Sequence, residues 1–206
     1  MSTTPTRTIP PFSVTWDYRC PFARVAHEHL VSALKAGAPF DVSFLAFSLS
    51  QAHRGEDDKP IWEEPDTDSG LRALEVGVVV RDRFQERFLD VHGALFSLRH
   101  DEGKDLRDEK ELGLLLERTG VDPEAVFDEI ATGSALERVR QEHETAVVDH
   151  KVWGVPTFIV NDQAVFIRLM ERPSDAAMAQ ATVEKLVRLI EEMPELNEFK
   201  HTAIER

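Results

Sequence analysis

Cys20 is the only cysteine among 206 residues and the first candidate for chemistry in this chain. It stands in the segment Ser13 to Ala23, where a β-prone run passes through a short polar loop into an amphipathic helix. A thiol at such a junction meets the unpaired N–H groups and positive dipole end of the helix, which favour thiolate over thiol. The position therefore predicts a thiol pKa within the ~3.5–7.5 of such environments, against ~8.5 for a free cysteine. Arg19 and Arg24 are candidate cations for tuning the thiolate. Asp17 opposes them if its carboxylate is near, or accepts a proton later. Trp16 and Phe22 flank the sulfur as a candidate apolar wall for a substrate. The competing reading is that Cys20 is a small buried apolar residue, as free cysteines often are. Three residues on, where a second sulfur would sit in a dithiol pair, the chain has Ala23. Any redox cycle must then borrow its second thiol: Cys20 forms a mixed disulfide, and a small external thiol releases it.

Other constellations point to less. His27 and His29 are two apart, so on a helix they face different ways and cannot share an ion. His27 is also too far along the helix axis to hydrogen-bond Cys20, and orienting a substrate is a minor alternative for it. His143 and His150 read as exposed helix histidines. No metal site is expected, and one cysteine argues against a zinc–cysteine cluster. No phosphate-binding glycine loop or dinucleotide fingerprint occurs, so no flavin or nicotinamide is expected. Trp62, Trp153, Phe84, Phe88 and Phe96 read as insertion-domain or cleft-lining packing rather than a cofactor box.

The bulk properties bound the partners. With 24 Lys and Arg against 38 Asp and Glu the formal net charge is −14, which repels polyanions: nucleic acid and anionic membranes are poor partners. The segment Met1 to Pro11 is polar and lacks the apolar core of a signal peptide, and no run approaches the ~20 apolar residues of a spanning helix. A cytoplasmic protein is expected, in keeping with its cysteine usage. The base rate for soluble proteins allows a homodimer, without a specific interface signal.

The elements that must position Cys20 are legible from periodicity. Ser13 to Trp16 reads as a strand. Pro21 is tolerated in a first helical turn, and Phe22, Ala26, Leu30, Ala33 and Leu34 recur at helical spacing up to Gly37. Phe40 to Leu49 reads as a second, parallel strand. From Leu71, helical spacing dominates for about 80 residues, as one long helix or two in series and then shorter ones. Ser134 with Glu137 gives a capping-box signature. Pro156 to Val160 and Ala164 to Leu169 then read as a hairpin about Asn161 to Gln163, before a last helix from Ser174 to Met193. The order predicts an α/β thioredoxin-like fold with an inserted all-helical domain. Residues 12–50 and 151–195 would form the thioredoxin-like domain and 66–150 the insertion, with tails at 1–11 and 196–206.

Trp16-Asp-x-x-Cys20-Pro-Phe, the long helical insertion, and Trp153-Gly-Val-Pro-Thr-Phe158 ahead of a hairpin resemble the DsbA family of the thioredoxin superfamily. The resemblance covers Ser13 to Met193. It implies an oxidoreductase in which Cys20 is the nucleophile and Val155-Pro156 the cis-proline pair facing it, with Pro21, Phe22, Trp16 and Thr157 lining the thiol and substrate site. A cis X–Pro bond turns the N–H and C=O of Val155 outward, free to pair with an extended thiol substrate. The chain is more similar to cytoplasmic members that use a low-molecular-weight thiol, and the segment Asn197 to Thr202 resembles actinobacterial members. This implies mycothiol or glutathione as co-substrate and no tightly bound cofactor. Kappa-class glutathione transferases and chromene-carboxylate isomerases also resemble it, which implies an alternative in which Cys20 donates a hydrogen bond to a bound thiolate. The third reading is a binding protein that lost its chemistry with the second cysteine.

Overall fold

The computed structural model describes residues 9–55, 57–198 and 200. Strand β1 (Phe12–Trp16) runs parallel to β2 (Val42–Ala46), a pairing that needs a crossover, which helix α1 (Pro21–Lys35) supplies. On its other edge β1 pairs antiparallel with β3 (Thr157–Val160), and β3 with β4 (Gln163–Phe166), giving the order β2-β1-β3-β4. Central β3 is buried at all four positions because both its faces are covered. The hairpin turn is tighter than predicted. Asn161 and Asp162 alone form it, with φ of 47° and 65°, values that Asn and Asp tolerate and a two-residue hairpin turn requires.

β2 is shorter than the predicted run. Phe47 leaves the sheet and the Ser48 hydroxyl accepts the N–H of Gln51, capping the short helix α2 (Leu49–Ala52). The long helical stretch divides into α3 (Leu71–Arg83) and α4 (Gln85–His100), broken at Phe84. Helices α5 (Glu109–Arg118), α6 (Pro123–Ala131) and α7 (Ser134–His150) follow. The capping box is not formed. Gly133, at φ 81°, is the cap of α7, and Ser134, already inside the helix, donates its hydroxyl proton to Glu129 instead. The last helix, α8 (Ala176–Glu192), packs on α1 through the small residues Ala33, Ala38 and Ala179.

α4 also packs on α1, and α7 returns to β2, so the apolar interior is continuous from Val14 and Phe158 in the sheet to Leu74, Leu116 and Val139 in the helical segment. Among the described residues no helix is long and apolar enough to cross a membrane. The expected N-terminal tail lies outside the described residues up to position 8. So do 199 and 201 to 206 of the C-terminal tail, including part of the segment similar to actinobacterial proteins.

Candidate active site

Cys20 is itself the N-cap of α1. Its extended backbone (φ −85°, ψ 118°) turns the sulfur over the first turn, where Sγ accepts the N–H of Ala23 at 3.4 Å. Pro21 at the first helical position is exposed and gives up no hydrogen bond. Across the cleft the Val155–Pro156 peptide is cis, and the Cys20 thiol donates to the Val155 carbonyl at 3.3 Å. Only 7% of Cys20 is exposed, and burial pushes its thiol up. The N–H groups of Ala23 and Phe22 and the charge of Arg168 pull it down, and the Asp17 charge adds to the rise. This corrects the expected lowered pKa: the helix terminus acts as foreseen, but desolvation outweighs it. The resting group is a thiol that donates, not a thiolate.

Val155 also departs from expectation. Its carbonyl already accepts the Cys20 thiol, and the backbone N–H has no partner among the described residues. Thr157 is buried and committed to the fold. Its N–H donates to the Thr15 hydroxyl at 2.9 Å and its own hydroxyl to the Gly154 carbonyl at 2.7 Å. Ala23, in the place of a second sulfur, is fully buried.

The predicted tuning cations are employed elsewhere. Arg19 grips Asp17 through Nη2 at 2.8 Å and reaches Ser50 Oγ at 2.6 Å and Asp68 at 3.4 Å. Arg24 is held by Glu28 at 2.9 Å and Asp101 at 2.6 Å. Neither figures among the influences on the Cys20 thiol; Arg168 does. Asp17 has no exposed surface and accepts four N–H bonds, from the Arg19 backbone, Nε and Nη2 and from the Leu49 backbone. Those four bonds make it the anchor of the loop, in place of the proton-accepting role expected for it.

Trp16 is fully buried, so it cannot wall a substrate. It sits among Phe44, Phe88, His92 and Tyr18, its ring centroid 5.3 Å from that of His92. The chemistry beneath it was not foreseen. Tyr18 Oη lies 2.8 Å from His92 Nδ1, His92 Nε2 lies 2.9 Å from His27 Nδ1, and His27 Nε2 lies 3.1 Å from the Thr15 carbonyl oxygen. A carbonyl can only accept, so His27 donates to it. His92 must then donate to His27, and the Tyr18 hydroxyl to His92. One proton arrangement satisfies the whole chain, with both histidines neutral. Burial lowers His27 to about 4 and His92 well below the ordinary histidine value, and raises the Tyr18 hydroxyl well above its own.

His27 therefore holds the fold and is out of reach of a substrate. His29 turns the other way, to the Glu171 carbonyl at 3.1 Å. His143 is buried, not exposed: its Nδ1 accepts the Ser48 N–H at 3.2 Å, and its ring packs on Phe47 and Trp62.

Sequence reading missed two residues of the site's surroundings. His92 could have been flagged as a lone histidine in the apolar stripe Phe88, Val91, Leu95. Arg168 is a lone cation in the apolar run Ala164 to Met170. It stands exposed with its guanidinium carbon 4.4 Å from the centroid of Phe22 and 5.7 Å from that of Phe166. Trp153 continues this surface, 66% exposed and 4.6 Å from Phe166.

A mixed four-stranded sheet, a lone sulfur capping the first helix, a facing cis-proline and a helical segment between β2 and β3 define a thioredoxin-like fold with a helical insertion. The sequence matches the DSBA-like thioredoxin domain over residues 13–181, and the chain belongs to that family. No curated protein matches it. Among solved structures it is similar to a probable DsbA oxidoreductase from Streptomyces coelicolor, with 17% identity, 93% of each chain covered and a TM-score of 0.61. A 2-hydroxychromene-2-carboxylate isomerase is similar at 16% identity over 91% of this chain and 99% of the other, with a TM-score of 0.61. A cytosolic disulfide reductase, DsbM from Pseudomonas aeruginosa with GSH, is similar at 12% identity over 87% of this chain and all of the other, with a TM-score of 0.61. At these identities the likeness is one of fold.

Proposed function

We propose that this protein is a cytoplasmic thiol-dependent oxidoreductase in which Cys20 cycles through a mixed disulfide with a small thiol. The observation that carries this reading is the setting of the sulfur. Cys20 caps α1, faces Val155 across the cis-proline loop, and has buried Ala23 where a resolving thiol would stand. In the first step the Cys20 sulfur attacks a disulfide R–S–S–R. The S–S bond breaks, Cys20–S–S–R forms, and the leaving thiolate takes up the proton released by Cys20. A second small thiol attacks the mixed disulfide, restoring Cys20 and carrying the disulfide away, so electrons balance without another cofactor. The N–H groups of Ala23 and Phe22 stabilise sulfur charge in both steps. Mycothiol and glutathione are the candidate co-substrates; the solved disulfide reductase with GSH supports that class.

One observation favours a second reading. A thiol held protonated and donating, as Cys20 is to Val155, is also suited to donate to the sulfur of a bound thiolate without attacking anything. The similar isomerase fold supports this transferase or isomerase alternative. Incubation with oxidised glutathione followed by intact-mass measurement tests the first reading: one glutathionyl adduct, absent from Cys20→Ser and removed by reduced thiol, is expected. No adduct on folded protein, together with thiol-dependent turnover that survives Cys20→Ser, would replace it with the second.

A further inference from the structure

The net charge of −14 makes the surface of this protein a poor place for an anion, and most of its described arginines are engaged by carboxylates. Arg168 is different in three respects. It forms no ion pair among the described residues; its guanidinium is held by the Phe22 ring at 4.4 Å and the Phe166 ring at 5.7 Å; and Phe22 is the second residue after Cys20. Phe166 is in turn backed by Gly154 of the cis-proline loop and by exposed Trp153. The result is a partly exposed aromatic surface running from the proline loop to the first turn of α1, with the Arg168 guanidinium on its rings and its charge felt at Cys20.

Stacking on rings fixes the plane of a guanidinium while leaving its N–H edge free, the geometry in which arginine receives a carboxylate through two parallel hydrogen bonds. We infer that Arg168 is the specificity-determining residue of this site and receives a carboxylate of the small thiol compound that Cys20 engages, selecting carboxylate-bearing thiols such as glutathione over neutral or cationic ones. The inference rests on the proposed small-thiol reading and narrows it to one chemical class. The position of Arg168 also gives it a second effect, since its charge stabilises the Cys20 thiolate.

Calorimetric titration of the full chain with S-methylglutathione and with its dimethyl ester, whose carboxyls are neutral, separates charge recognition from redox chemistry. The free acid should bind about tenfold tighter than the ester, the scale of one charge-assisted contact. Arg168→Gln should erase that gap, Arg168→Glu invert it, and Arg168→Lys restore part of it. Equal affinities in the unaltered protein, binding of neither form, or a preference for the acid that survives both Gln and Glu would overturn the inference. Disulfide exchange at Cys20 with oxidised glutathione and with the cationic disulfide cystamine is the companion measurement. If neither disulfide modifies Cys20, the mixed-disulfide reading fails while the charge preference in binding still decides the role of Arg168. If both do, the preference for oxidised glutathione should vanish in Arg168→Gln.

Discussion

The two sides of Cys20 are built on opposite terms. On the inner side the loop residues Asp17, Tyr18 and Arg19 have their polar groups bonded to one another and to partners drawn from α2, α4 and the segment before α3. On the outer side Phe22, Phe166, Arg168 and Trp153 contact one another through ring faces and keep surface open to solvent. The inner side fixes where the sulfur is. The outer side is where a reactant can meet it. The contrast teaches that the polar residues just before the cysteine serve its placement, and that the open side is made by Phe22 together with residues from the far end of the chain.

Acid should damage the inner side most. His27 and His143 are lowered to about 4 by burial, against 6.5 when unburied. Below that unfolded value the unfolded chain binds protons that the folded protein refuses, so their stabilisation is intact above pH 6.5 and is lost as pH falls toward 4. Each histidine contributes on the order of 3 kcal/mol to that loss. Urea unfolding at pH 7 and pH 4.5 measures it, and His143→Gln, which keeps an acceptor for the Ser48 N–H, should flatten part of the slope. Equal stability at the two pH values would mean that the inner side is not sealed as described.

Asp17→Ala should cost about 3–5 kcal/mol, because it strips four N–H donors of their acceptor and leaves Arg19 partly buried without its closest counter-charge. Gly77→Ala should cost about 1–3 kcal/mol, since a Cβ there would overlap the Tyr18 hydroxyl. Combining it with Tyr18→Phe should cost less than the sum of the two changes, and strict additivity in the double-mutant cycle would show that the close approach is not felt. Trp153→Ala, on the outer side, should change unfolding free energy by less than about 0.5 kcal/mol. The same change should still slow modification of Cys20 by oxidised glutathione severalfold. A large stability loss there would erase the distinction between the two sides.

The strand, helix and strand that hold Cys20, the helical insertion, and the returning hairpin were legible because each has a clear hydrophobic period and its own stop signals, as in Pro21, Gly37 and Asn161. The cap of α7 was not: Gly133 in a left-handed conformation took a position for which Ser134 was the better local candidate. The roles of Arg19 and Arg24 were misread because proximity to Cys20 was weighed above their carboxylate partners, Asp17 and Glu28 nearby in sequence and Asp68 and Asp101 from distant segments. The thiol pKa failed for a related reason. Helix position is written locally, whereas burial depends on the whole fold. Trp16 beside the cysteine looked like a substrate wall, yet the strand's inward face turns it into the core.

Two glycines of α3 and its cap bear on how this chain can be altered. Gly77 of α3 makes room for Tyr18, and Gly70, the cap of the same helix, makes room for Arg19, whose Nε would lie 2.5 Å from a Cβ at that position. The helical segment is thus cut to the outline of the loop before Cys20 at two places one side chain deep. A helical segment grafted from a relative with an alanine at either point would collide with that loop, and a chain relieved of its own insertion would leave Tyr18 and Arg19 without their sockets. Changes to the loop and to the facing end of the insertion are therefore coupled at these two points.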